Sequence, residues 1–182
     1  MIDVIKQFEA VPAVYPDAPS GLSTAAAALD AAAIWARIEA YTAHRFATRE
    51  VVWTLRGDRG DNWRPRLTPV VSRMAELWGS DAWEPVALLD GPFGDCLPVT
   101  GIYRIIAQVG AGHTPAPVLE AFRRLAEYLE GARKSTSEPG ASSVRTSIGD
   151  DLDFEVDRNP AWVARAIQYS GAGDLLRPYR RA

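Results

Sequence analysis

Residues 101–133 read GIYRIIAQVGAGHTPAPVLEAFRRLAEYLEGAR, and the fold class turns on them. Gly101 to Val109 alternates: Tyr103, Ile105, Ala107 and Val109 fall on one face, and Ile102, Arg104, Ile106 and Gln108 on the other. That period of two predicts a strand. Past the glycines, Thr114 can cap a helix whose first turn holds Pro115. Val118, Leu119, Phe122, Leu125, Ala126 and Leu129 then make one apolar stripe, and Gly131 is the expected stop. Glu120 with Arg124, and Arg123 with Glu127, are opposite charges four residues apart, which suits an exposed helical face.

Upstream, residues 48–109 read as β-rich. Thr48 to Leu55 and Val70 to Trp78 are strand candidates, Gly79-Ser80-Asp81 is a hairpin turn, and Trp83 to Leu89 returns. Residues 24–45 read as a helix capped by Ser23 or Thr24. Its alanines at 25–28 and 31–33 either raise helix propensity or let another helix approach closely. Four breaks, Pro12, Pro16, Pro19 and Gly21, predict an extended arm over 1–22. Residues 134–151, rich in Ser, Gly and Thr, predict a flexible linker. A last helix is expected over 160–170, capped by Asn159, and then a tail over 171–182. The expected architecture is α+β: a helical bundle core with a β-rich hairpin insertion, between extended N- and C-terminal arms. The central domain would span 23–170.

Composition narrows the chemistry. The chain has 182 residues, 47% hydrophobic and 24% charged, enough to bury a core without cross-links. A single cysteine, Cys96, excludes an internal disulfide, and two histidines, His44 and His113, argue against a histidine-built metal site or triad. A net charge of −3 argues against a general nucleic-acid-binding surface. The 18 arginines against 2 lysines reflect either planar interface contacts or a GC-rich genome. No targeting segment is visible, and the most apolar run, 25–36, is broken by Asp30, so a soluble protein made in a cytoplasm is expected. No cofactor is implied.

Three short motifs have plain structural readings. Gly110 to Pro115 sits where a dinucleotide fingerprint would, yet Pro115 replaces the third glycine and no βαβ unit surrounds it. Arg59-Gly60-Asp61 lies in a polar turn. The acidic run 150–157 lacks the turn glycine and terminal glutamate of a calcium loop. Trp53, Trp63, Trp78 and Trp83 are candidate interface anchors. The tail combines Leu175, Leu176 and Tyr179 with Arg177, Arg180 and Arg181. Those apolar groups either pack on their own domain or dock in a neighbouring protein.

The order of several segments resembles the head–tail connector (adaptor) proteins of long-tailed bacteriophages and gene transfer agents. The segments are Ile38 to Thr42 leading into Trp53, Gly101 to Ile105, Val109 to Gly112, Pro115 to Leu129 and Gly173 to Arg181. The resemblance implies a structural protein and not an enzyme. It implies a ring, typically of twelve subunits, in the virion neck, assembled in the host bacterial cytoplasm. Such a ring binds the portal above and the stopper, or head-completion, protein below. Double-stranded DNA passes through its channel without specific binding, and no membrane is involved. It also implies portal contacts by the tail, here Asp174, Leu175, Leu176, Arg177, Pro178, Tyr179, Arg180 and Arg181. Two alternatives remain: another head-completion or tail-terminator protein of the same neck, or a small cytoplasmic enzyme with an anion site at 110–115.

Overall fold

The computed structural model describes residues 1–110, 112–134, 143–147, 153–157 and 163–180. It is α+β and divides into two units. The first, Met1–Pro16 with Thr42–His113, is a β unit. Its strands are β1 (Asp3–Glu9), β2 (Arg49–Gly57), β3 (Asn62–Trp63), β4 (Val70–Trp78), β5 (Trp83–Val86), β6 (Leu89–Gly91), β7 (Gly94–Cys96) and β8 (Gly101–Val109). Five of them form an antiparallel sheet in the order β1-β2-β8-β4-β5, and the other three form a small sheet, β3-β7-β6.

The alternation read at 101–109 places β8 at the centre. Tyr103, Ile105, Ala107 and Val109 are buried, beside Val51, Trp53 and Leu55 of β2 and Ala75 of β4. Trp63, Leu67 and Leu97 complete that core. The β-rich stretch therefore has a hydrophobic core of its own. Gly110 ends β8 with φ +89°, and a Cβ there would lie 2.4 Å from the carbonyl oxygen of Ala47. The glycine is needed for that close approach, which accounts for the turn structurally.

The 1–22 arm requires correction. Asp3–Glu9 is a strand at the sheet edge, in register with β2 from Asp3↔Arg56 to Glu9↔Val51, with a bulge between Val4 and Lys6. Its exposed pattern explains why alternation in the sequence is weak: an edge strand buries little.

The second unit, Asp17–Tyr41 with Thr114–Ala182, is described for 17–41, 114–134, 143–147, 153–157 and 163–180. Here lie α1 (Thr24–Ala27), α2 (Ala31–Tyr41), α3 (Ala116–Lys134), β9 (Ser143–Ser147), β10 (Asp153–Asp157), α4 (Ala166–Tyr169) and α5 (Ala172–Leu176), then a 3₁₀ turn, Arg177–Tyr179. The single helix expected at 24–45 is two. Ser23 caps α1 by accepting from Ala26 N, and Asp30 accepts from Ala32 N at 2.9 Å, opening α2 afresh. A short carboxylate inside a helical pattern competes for backbone amides and starts a new turn. Helix α3 runs past Gly131, which costs about 1 kcal/mol relative to alanine without stopping it. The expected linker contains β9, paired with β10 from Asp153↔Ser147 to Asp157↔Ser143. Asn159 and Pro160 lie outside the described residues.

Helix α3 organises this unit. It contacts α1, α2, α4 and α5. Phe122 meets Trp35 of α2 with ring centroids 5.0 Å apart. Glu127 receives Ser23 N at 2.6 Å and Ser23 Oγ at 2.8 Å, fixing the entry to α1. The C-terminal segment is also corrected: it is no extended arm. Helix α5 packs on α3, and Leu176 is fully buried. Replacing Leu176→Ala in the isolated chain should therefore cost about 2–5 kcal/mol, read as a lowered urea midpoint. An unchanged midpoint would show that the tail does not belong to the folded unit.

Candidate interaction surfaces

The tail residues separate once placed. Leu176 and Ala172 serve the core of their own unit, so Leu176 is withdrawn as an anchor for another chain. Leu175 and Tyr179 are half-buried, whereas Asp174, Arg177, Pro178 and Arg180 are exposed. Arg180 lies over the Tyr41 ring at 4.7 Å and donates to its hydroxyl at 3.4 Å, tying the tail to the end of α2. Arg181 lies outside the described residues.

The four tryptophans also divide. Trp53 and Trp63 are buried and meet edge-on, centroids 5.5 Å apart, in the core of the β unit. They are corrected as interface residues: their area is already spent inside the unit. Trp78 is 44% exposed and pairs edge-on with half-buried Trp83 at 5.1 Å. Arg104 covers Trp83 at 4.6 Å and also ion-pairs with Glu76. This cluster stands on the open face of the large sheet, beside the β4–β5 turn.

That open face carries a surface that reading the strands singly does not reveal. Register puts Phe8 opposite Val52, Val52 opposite Ile106, and Ile106 opposite Met74. The four side chains form an apolar row across β1, β2, β8 and β4. Its ends are open: Phe8 is 56% and Met74 55% exposed. Next to it runs a polar row, Lys6, Thr54, Arg104 and Glu76, in the same register. The available signal was the second face of 101–109, but the row emerges only once β1 is known to pair with β2.

No family model matches the sequence, and no curated protein matches it. A chain in a solved structure described as "Neck of empty GTA particle computed with C6 symmetry" does match. The two are 18% identical, the match covers 93% of this chain and 94% of that one, and the TM-score is 0.44. A likeness so loose assigns no role.

Among the described residues, no group of three or more His, Cys, Asp or Glu side chains could hold a metal ion, and no helix is long and apolar enough to cross a membrane. His113 is exposed, and half-buried His44 stacks on Phe46 at 4.6 Å. In the Arg59-Gly60-Asp61 turn, Asp61 accepts from Asp58 N at 3.0 Å, and Gly60 N donates to Leu97 O, so these groups close the loop.

One charged cluster secures the edge. Glu9 receives Arg45 Nε at 2.6 Å and Arg49 Nη1 at 3.0 Å, and Tyr15 lies 5.6 Å from the Arg49 guanidinium. Burial pushes the Glu9 carboxyl up, but the hydrogen bonds and charges of Arg45 and Arg49 outweigh it and hold the group below the ordinary glutamate range. A depressed carboxyl stabilises the fold above its unfolded pKa, and that contribution is lost as pH falls through the folded value. Acidification below about pH 4.3 should therefore loosen β1. The Trp53 indole, which donates to Gln7 Oε1 on β1 at 2.8 Å, gives the signal in an NMR titration. Glu9→Gln should loosen β1 already at neutral pH and abolish the acid step; an unaltered titration would show that the clamp does not hold the strand.

Proposed function

We propose that the chain is a structural subunit of a virion or gene-transfer-agent neck, acting as a head–tail connector ring between portal and tail. The observation that carries the reading is the ordered set of segments, 38–42, 101–105, 109–112, 115–129 and 173–181, that resembles the connector proteins. Two of these segments are the scaffolds of the units: 101–105 belongs to the central strand β8, and 115–129 covers most of α3. The exposed sheet row and the Trp78–Trp83 cluster add surfaces suited to subunit contacts. On this reading the chain performs no catalysis. A mildly acidic ring, typically of twelve copies, would repel DNA phosphates and let the duplex slide.

Portal docking by the tail is retained in altered form. Arg177, Pro178 and Arg180 offer exposed groups, with Leu175 and Tyr179 at the edge, while Leu176 holds the segment in place. Twelve such weak contacts would act together. Removing residues 171–182 would delete Leu176 and unfold the helical unit, so charge reversal is the sounder test. Co-expressed with the portal of its own particle, the chain should sediment as a ring-on-ring complex. Arg177→Glu should weaken that complex at least tenfold without lowering the unfolding free energy by more than ~0.5 kcal/mol. A chain that ignores the portal, and whose deletion leaves tailed particles, would refute the neck assignment.

A further inference from the structure

We infer that neighbouring copies of this chain join by strand addition, β1 of one copy pairing with the open edge of β4 in the next. The inference rests on the ring reading above and names the contact that would build the ring.

Both edges are open. Among the described residues, strand β1 pairs only with β2. Strand β4 pairs with β8 along one side, but on the other side β5 covers only Ala75–Trp78. Among the described residues, no strand pairs with Val70–Met74 on that side. Beyond Val86 the chain bends away, leaving a groove of about 530 Å³ lined by Arg73, Met74, Ala75 and Pro85–Leu88. Exposed strand edges template pairing with another chain, and natural proteins usually block them.

Strand direction selects the occupant. Every pairing from β1 through β2 and β8 to β4 is antiparallel. A neighbour's β1 laid antiparallel on β4 therefore continues the alternation, with each copy in the same sense. That is a head-to-tail contact, the kind that closes into a ring. A symmetric β1–β1 or β4–β4 contact would stop at two copies. The lengths also suit: with Lys6 set against Ser72, the five residues Val4–Phe8 of β1 span the five-residue open edge, 70–74, and stop short of Ala75, which β5 already pairs. Advance of the incoming strand is limited where β5 begins. In this register Lys6 and Phe8 of the neighbour share the outer face with Glu76 and Met74. Lys6 then stands beside Ser72, at the level of Gln108 on β8, so a second positive charge placed at position 72 would repel it.

The test uses disulfides in a Cys96→Ser background. Positions 6 and 72 are separated within one chain by three strand spacings, about 14 Å, too far for a disulfide. Any Lys6→Cys/Ser72→Cys bond must therefore join two molecules. Oxidation of this double variant in assembled rings should give a ladder of covalent multimers, and neither single variant should. Separately, Ser72→Lys should weaken ring assembly several-fold, with rescue by Lys6→Glu. Rings that yield no ladder and ignore the charge swap would overturn the inference while leaving the neck reading intact. A ladder limited to dimers through position 6 alone would overturn it too. Failure to form any complex with portal would instead count against the neck reading.

Discussion

The alternation of side chains along Gly101–Val109 is the constraint on which the β unit rests. A strand paired on both sides has no edge, so its two faces must find different surroundings. Tyr103, Ile105, Ala107 and Val109 are buried with the partners they select on β2 and β4. A one-residue slip in either ladder would turn that set outward. The opposite face is left to Ile102, Arg104, Ile106 and Gln108, and the open row and the arginine–tryptophan cluster are consequences of the same register.

The helical unit answers to a different constraint. Helix α3 is amphipathic and carries too large an apolar stripe to stand alone. Short pieces cover it: α1, α2, α4 and α5. None of the short helices would be stable by itself, since isolated helices below about 12 residues are marginal in water. The tail is thus structural before it is anything else. Leu176 is held inside, and among the described tail residues Asp174, Arg177, Pro178 and Arg180 remain exposed, with Leu175 and Tyr179 half-buried beside them.

Much of the framework was legible in the sequence where the periodic signal was strong. The strand at 101–109, the Val70–Trp78 strand and the helix after Pro115 are read from spacing alone. What escaped did so for physical reasons. Strand β1 buries little, so its residues carry no clean alternation. Asp30 splits a helix because capping is local chemistry that an apolar stripe does not register. Trp53 and Trp78 look alike in sequence, and only the register decides that one is core and the other surface. Leu176 posed the same question, and packing on α3 answered it. The apolar row is a property of four strands together, Phe8, Val52, Ile106 and Met74, and no single segment contains it.

The central claim is a division of labour within the large sheet: inner face and central strand for folding, outer edges for assembly. Amide hydrogen exchange on the free chain and on the portal-bound assembly tests it most directly. The account predicts that β8 amides are slow in both states, while Asp3–Glu9 and Val70–Met74 exchange fast in the free chain and slow markedly on assembly. Edges that exchange equally fast in both states, with new protection appearing elsewhere, would contradict it.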